Sequence, residues 1–63
     1  MNTETVCIDY DEEIRETEAA TLYRIDDREV WIPKSQIEQD FLHTGGGGHI
    51  EIPVWLAEKK ELV

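Results

Sequence analysis

Basic residues are scarce in this chain. Six Lys and Arg stand against fifteen Asp and Glu among 63 residues, a formal net charge of −9. A surface that grips DNA or RNA neutralises phosphates with a basic patch, so this imbalance argues against direct nucleic-acid binding and against docking on an anionic membrane face. Cysteine is almost as scarce. Cys7 stands alone, which rules out an intramolecular disulfide and fits a reducing compartment. The opening Met1-Asn2-Thr3-Glu4-Thr5 lacks the basic and then apolar pattern of a secretory leader. No apolar run approaches the roughly 20 residues that span a bilayer. A soluble, cytoplasmic protein of one small acidic domain, residues 1–63, is expected.

Catalytic and metal motifs are missing too. There is no His-Glu-x-x-His and no Gly-x-Ser-x-Gly, and the run Gly45-Gly46-Gly47-Gly48 lacks the Lys-Ser or Lys-Thr that completes a phosphate loop. Asp9-Tyr10-Asp11-Glu12-Glu13 lacks the glycine and the spaced final glutamate of a calcium loop. His43 and His49 flank the glycine run, but with Cys7 they make three donors where a structural zinc site uses four, and four glycines preorganise ligands poorly. Carboxylate pairs such as Asp9 with Asp11 serve acid–base catalysis only when burial drives their pKa values apart. A chain this short buries only roughly 60% of its unfolded surface, which leaves little core around a deep cleft. The expectation is a non-enzyme with no cofactor and no metal. A metal-dependent dimer through His43 and His49 is a remote alternative that a chelator would test.

What the chain does have is 40% hydrophobic residues, enough to fold. From Thr5 to about Thr17 the pattern nearly alternates, with Val6, Ile8, Tyr10 and Ile14 on one side and Asp9, Asp11, Glu13 and Arg15 on the other. That is the period of a half-buried strand, with Glu12 marking a bulge or the edge of the core. Cys7 falls on the acidic side, which hints at partial exposure. Ala20–Ile25 and Glu29–Ile32 predict a hairpin turning at Asp26-Asp27. Pro33 ends the second of these strands, and Lys34-Ser35 makes a corner into a fourth strand, Gln36–Leu42. The glycines form a mobile hairpin tip leading to a fifth strand, His49–Ile52. Pro53 suits the first turn of a helix running to Leu62, with Trp55, Leu56, Lys59 and Leu62 on one face. The predicted class is α+β: a curled antiparallel sheet of about five strands with one short C-terminal helix, and Trp31 and Trp55 anchoring the core.

The acid is unevenly spread. Residues 1–29 hold ten acids and three bases, a charge of −7, against −2 for the remainder. A charge run is often only a solvated face. Carboxylates on alternate strand residues, roughly 6.6–6.8 Å apart, also form a row that a basic groove built for a phosphate backbone would attract. Asp9, Asp11 and Glu13 would make one line, with Glu12, Glu16, Glu18, Asp26, Asp27 and Glu29 close by. Self-repulsion at this density costs stability.

Val30-Trp31-Ile32-Pro33-Lys34-Ser35-Gln36-Ile37 and Ile50-Glu51-Ile52-Pro53-Val54-Trp55-Leu56-Ala57-Glu58-Lys59-Lys60, with Ala20-Thr21-Leu22-Tyr23-Arg24-Ile25, resemble a group of very short phage and prophage proteins. The resemblance covers about residues 19–63. Among small acidic phage proteins of this size are anti-CRISPR proteins that imitate DNA and block the surveillance complex of type I systems, and the chain looks like one of these. It implies a host partner with a basic DNA-binding surface. The acidic stretch lies largely outside the shared motifs, so no functional residue transfers by motif. The rival expectation is an accessory module that docks through an apolar patch near the C-terminal helix, with Trp55 or Trp31 as the hot spot.

Overall fold

The computed structural model describes residues 4–63. Six strands form two three-stranded antiparallel sheets. In chain order they are β1 (Thr5–Tyr10), β2 (Glu12–Glu16), β3 (Ala20–Ile25), β4 (Arg28–Pro33), β5 (Gln39–Leu42) and β6 (Gly48–Pro53), followed by the helix α1 (Val54–Lys59). One sheet has the order β1-β6-β5 and the other β2-β3-β4. The α+β class with a short C-terminal helix stands, while the single sheet of about five strands is corrected to two sheets of three.

The difference arises at Asp11. The long strand expected from Thr5 to Thr17 breaks there, and the chain leaves one sheet for the other. The Asp11 N–H donates to the Arg24 carbonyl at 2.8 Å, so the residue at the crossing already belongs to β3's partner strand. A bulge between Glu13 and Arg15 follows, placing Ile14 opposite no β3 residue. Extra residues of this kind bend a strand and increase its twist, which lets β2 run along β3 while β1 pairs with β6.

The hairpin of β3 and β4 matches its sequence signal. Asp26 and Asp27 both take positive φ, 51° and 65°, the mirror-image turn whose twist suits two-residue hairpins. The fourth predicted strand is shorter than expected, because Lys34–Gln36 forms one turn of 3-10 helix after Pro33 and pairing resumes only at Gln39. The glycine run is only partly a loop. Gly48 is buried in β6 opposite Tyr10, and a methyl group there would collide with the Tyr10 hydroxyl at 2.6 Å.

Between the sheets lie Ile8, Tyr10, Tyr23, Ile25, Val30, Ile32, Ile50 and Ile52, closed at one end by Leu56 and Ala57 of α1. Ile32, Ile50, Ile52 and Tyr23 are fully buried. Each such side chain contributes about 1.5–3 kcal/mol by leaving water. The tryptophans are not the anchors. Trp31 is 40% exposed and Trp55 51%. Trp31 pairs with Leu22, which pairs with Arg15, so all three share the outer face of the second sheet. In α1 the inward side is Leu56-Ala57 rather than Trp55 and Lys59, and Pro53 is the N-cap and last strand residue rather than the first helical one. Beyond the helix, Glu61 adopts φ 59°, and the Leu62 N–H reaches the Ala57 carbonyl while that of Glu61 reaches Glu58. This is a Schellman end formed without glycine. Arg28 closes it from β4 by donating to the Glu61 carbonyl at 2.8 Å.

Candidate functional site

The nine acids singled out by sequence do not form one row. Asp9 lies on the outer face of the first sheet opposite His49, Asp11 sits at the crossing, and Glu13 lies on β2 opposite buried Tyr23. The strand break puts Asp9 and Glu13 in different sheets. Alternation along one continuous strand, the premise of the row, does not survive it.

A different grouping replaces the row. The Asp11 backbone is tied to Arg24, two residues before the Asp26-Asp27 turn. This bond sets Asp11 beside the Asp26-Asp27 turn, with Asp9 two residues before it, and all four carboxylates are exposed. Glu12 and Glu29 lie on the outer face of the second sheet, on either side of Arg24. Glu12 binds the Arg24 guanidinium at 2.8 Å. A groove of about 490 Å³ is lined by Asp9, Tyr10, Asp11, His43 and the glycine loop, and Asp26 and Asp27 are not part of it. Glu16 and Glu18 lie at the opposite end of β2. Glu16 pairs with Lys34, and Glu18 stands on a tight turn in which the Thr17 hydroxyl oxygen accepts from the Ala19 and Ala20 N–H groups. Among the described residues these two ion pairs are the only ones.

Glu13 is held above the usual carboxylate range. Partial burial is the main cause, followed by the charges of Asp40 and Glu16, with Lys34 acting in the other direction. Its neighbour Asp40 was not anticipated from the sequence. The Tyr10 hydroxyl donates to one Asp40 carboxylate oxygen and the Tyr23 hydroxyl to the other, each at 2.8 Å. The two rings are 4.6 Å apart. Both phenols are pushed well above their ordinary value, by burial first and then by the hydrogen bond to Asp40 and its charge. The available signal was that Asp40 falls on the inward parity of β5, opposite Ile50.

The histidines meet after all. His43 Nε2 and His49 Nδ1 lie 2.8 Å apart, one ring donating to the other, with ring centres 5.0 Å apart. Phe41 stacks on His49 at 4.8 Å. Four glycines preorganise such a pair poorly by themselves, and strand pairing on one side of the loop, Phe41 opposite His49 and Leu42 opposite Gly48, sets the approach. Among the described residues no group of three or more His, Cys, Asp or Glu is arranged to hold a metal ion. Cys7 is exposed, and no described helix is long and apolar enough to cross a membrane.

Comparison with protein-family models, with curated proteins and with solved structures gave no match.

Proposed function

We propose that this protein is a non-enzymatic inhibitor of the anti-CRISPR kind, which occupies the basic DNA-binding surface of a host defence complex and keeps target DNA out. The observation carrying this reading is the set of exposed carboxylates at and around the sheet crossing, Asp9, Asp11, Asp26 and Asp27, with no cationic partner among the described residues. Glu29 and Glu12 extend it, while Glu16 and Glu18 form a second, weaker group at the far end of β2. Two of these acids occupy a turn whose positive φ values favour Asn-Gly. Negative charge retained at a conformationally costly place suits a surface that a partner uses. Arg and Lys of a phosphate-tracking groove would meet these carboxylates in charge-assisted hydrogen bonds. Association would be fast and salt-sensitive.

The test is displacement of duplex DNA from a purified type I surveillance complex by increasing amounts of the protein. Charge reversal of Asp9, Asp11, Asp26 and Asp27 to lysine is expected to abolish displacement without changing the far-UV circular dichroism spectrum. Undiminished displacement by that variant would sink the proposal. A second reading has its own support in the exposure of Trp31 and Trp55: docking through an apolar patch. Binding that stays constant between low and high salt would favour it.

A further inference from the structure

The fifth strand, β5, has one open side. It is an edge strand, paired only with β6, and all four of its residues are exposed. The His43 N–H donates to the Gly47 carbonyl at 3.0 Å, in the same register as Phe41 opposite His49. Alternation along an antiparallel ladder then turns the backbone groups of Gln39 and Phe41 toward β6 and those of Asp40 and Leu42 outward. The edge therefore offers unpaired donors and acceptors at Asp40 and Leu42. It also carries apolar side chains on both faces. Phe41 is 47% exposed on the outer face beside His49, and Leu42 is 77% exposed on the inner parity, where Gly48 opposite gives it nothing to pack on.

Both edges of the second sheet carry protections of a kind that β5 lacks. β2 is bulged and has charges at Glu12, Glu13, Arg15 and Glu16. β4 starts with Arg28 and Glu29 and ends on Pro33. Lysine, proline and bulges are the usual guards against strand addition, and Gln39–Leu42 contains none.

We infer that β5 is a docking edge for an extended segment of a partner protein in which Lys or Arg alternates with aliphatic residues. The backbone of that segment pairs with Asp40 and Leu42, its aliphatic side chains cover Phe41 on the outer face, and its cations lie on the inner parity, where they face Asp40 and lay their stems along Leu42. A second copy is the poorer occupant, since it brings the same net charge of −9 and a second Asp40 to the seam. The inference does not depend on the inhibitor reading.

The probe is a capped heptapeptide of alternating lysine and valine, with a glutamate–valine peptide as control, added to the full chain and followed by amide hydrogen exchange in NMR. The lysine peptide is expected to slow exchange about tenfold at Asp40 and Leu42, and the glutamate peptide to leave both unchanged. Leu42→Pro removes an outward N–H that β6 does not use, so it is expected to weaken peptide binding at least tenfold while leaving DNA displacement intact. Should that variant not fold, the wild-type exchange pattern decides alone. Protection only around Asp26 and Asp27, or none, overturns the inference. So does slowing of the same two amides with protein concentration in the absence of peptide, which assigns the edge to a second copy.

Discussion

Replacing Asp40 with alanine removes the acceptor of two buried phenol hydroxyls at once. Tyr10 is 4% exposed and Tyr23 0%, and each donates to a separate carboxylate oxygen at 2.8 Å. A hydrogen bond to a charged group contributes about 1.5–3 kcal/mol, so the pair sets an upper range of about 3–6 kcal/mol. Asp40 itself is exposed, and water entering its place takes up part of that loss. A destabilisation of about 2–4 kcal/mol is expected. At ~0.05–0.15 kcal/mol per residue, a chain of this size has about 3–9 kcal/mol to lose, so the effect is large. Asp40→Asn keeps one carbonyl oxygen and should lose about half as much. The measurement is urea unfolding followed by far-UV circular dichroism, repeated in a Tyr10→Phe, Tyr23→Phe background. There the hydroxyls are gone, and Asp40→Ala should cost under about 0.5 kcal/mol. A loss in that background equal to the loss in the parent would refute the clamp, and so would a parent loss within about 0.5 kcal/mol of zero.

The same clamp sets a response to alkali. Both phenols are raised in the folded state, so the folded chain holds these protons more tightly than the unfolded one. Their stabilisation is complete below the ordinary tyrosine value of ~10 and is lost as pH rises beyond it, at up to about 1.4 kcal/mol per pH unit for each tyrosine. Urea midpoints that stay level from pH 9.5 to about 11.5 would contradict this; the double phenylalanine variant should show the flatter profile. Asp27→Gly relieves a positive φ of 65° and is expected to raise stability by about 0.5–1 kcal/mol. The same variant should weaken DNA displacement if the turn belongs to the interface; a gain in stability with displacement unchanged would detach the turn from the site.

The legible parts of the fold were those decided locally. Asp26-Asp27 between two β-rich runs specifies a hairpin through backbone conformation alone, and Pro53 before Val54–Lys59 announces a helix in the same way. The switch of sheets at Asp11 was not legible. Tyr10 and Ile14 have the parity of one continuous strand, and what separates them is a backbone bond from Asp11 to Arg24, thirteen residues onward. The tryptophans lie outside the core although large apolar side chains favour burial. The space between two three-stranded sheets is filled by Tyr23 and three isoleucines, whose shapes match facing strands, while Trp31 shares the outer face with Leu22 and Arg15. Acid content was plain in composition, but the placing of Asp11 beside the Asp26-Asp27 turn depends on that same long-range bond. The His43–His49 contact follows from register across the hairpin, which spacing alone does not reveal.

The pairing of β1 with β6, from Thr5 opposite Pro53 to Tyr10 opposite Gly48, carries a consequence for how the molecule comes into being. An early strand whose partners lie 38 to 48 residues later stays unpaired on the ribosome until that neighbour has been made. The β3–β4 hairpin can close at once, whereas the first sheet waits for the distant strand and bears the loop-closure cost of a high contact order. Until then Val6, Ile8 and Tyr10 face water beside a dense run of acids. The charge −7 carried by the first 29 residues keeps nascent chains apart through the interval in which their apolar strands have nothing of their own to pair with.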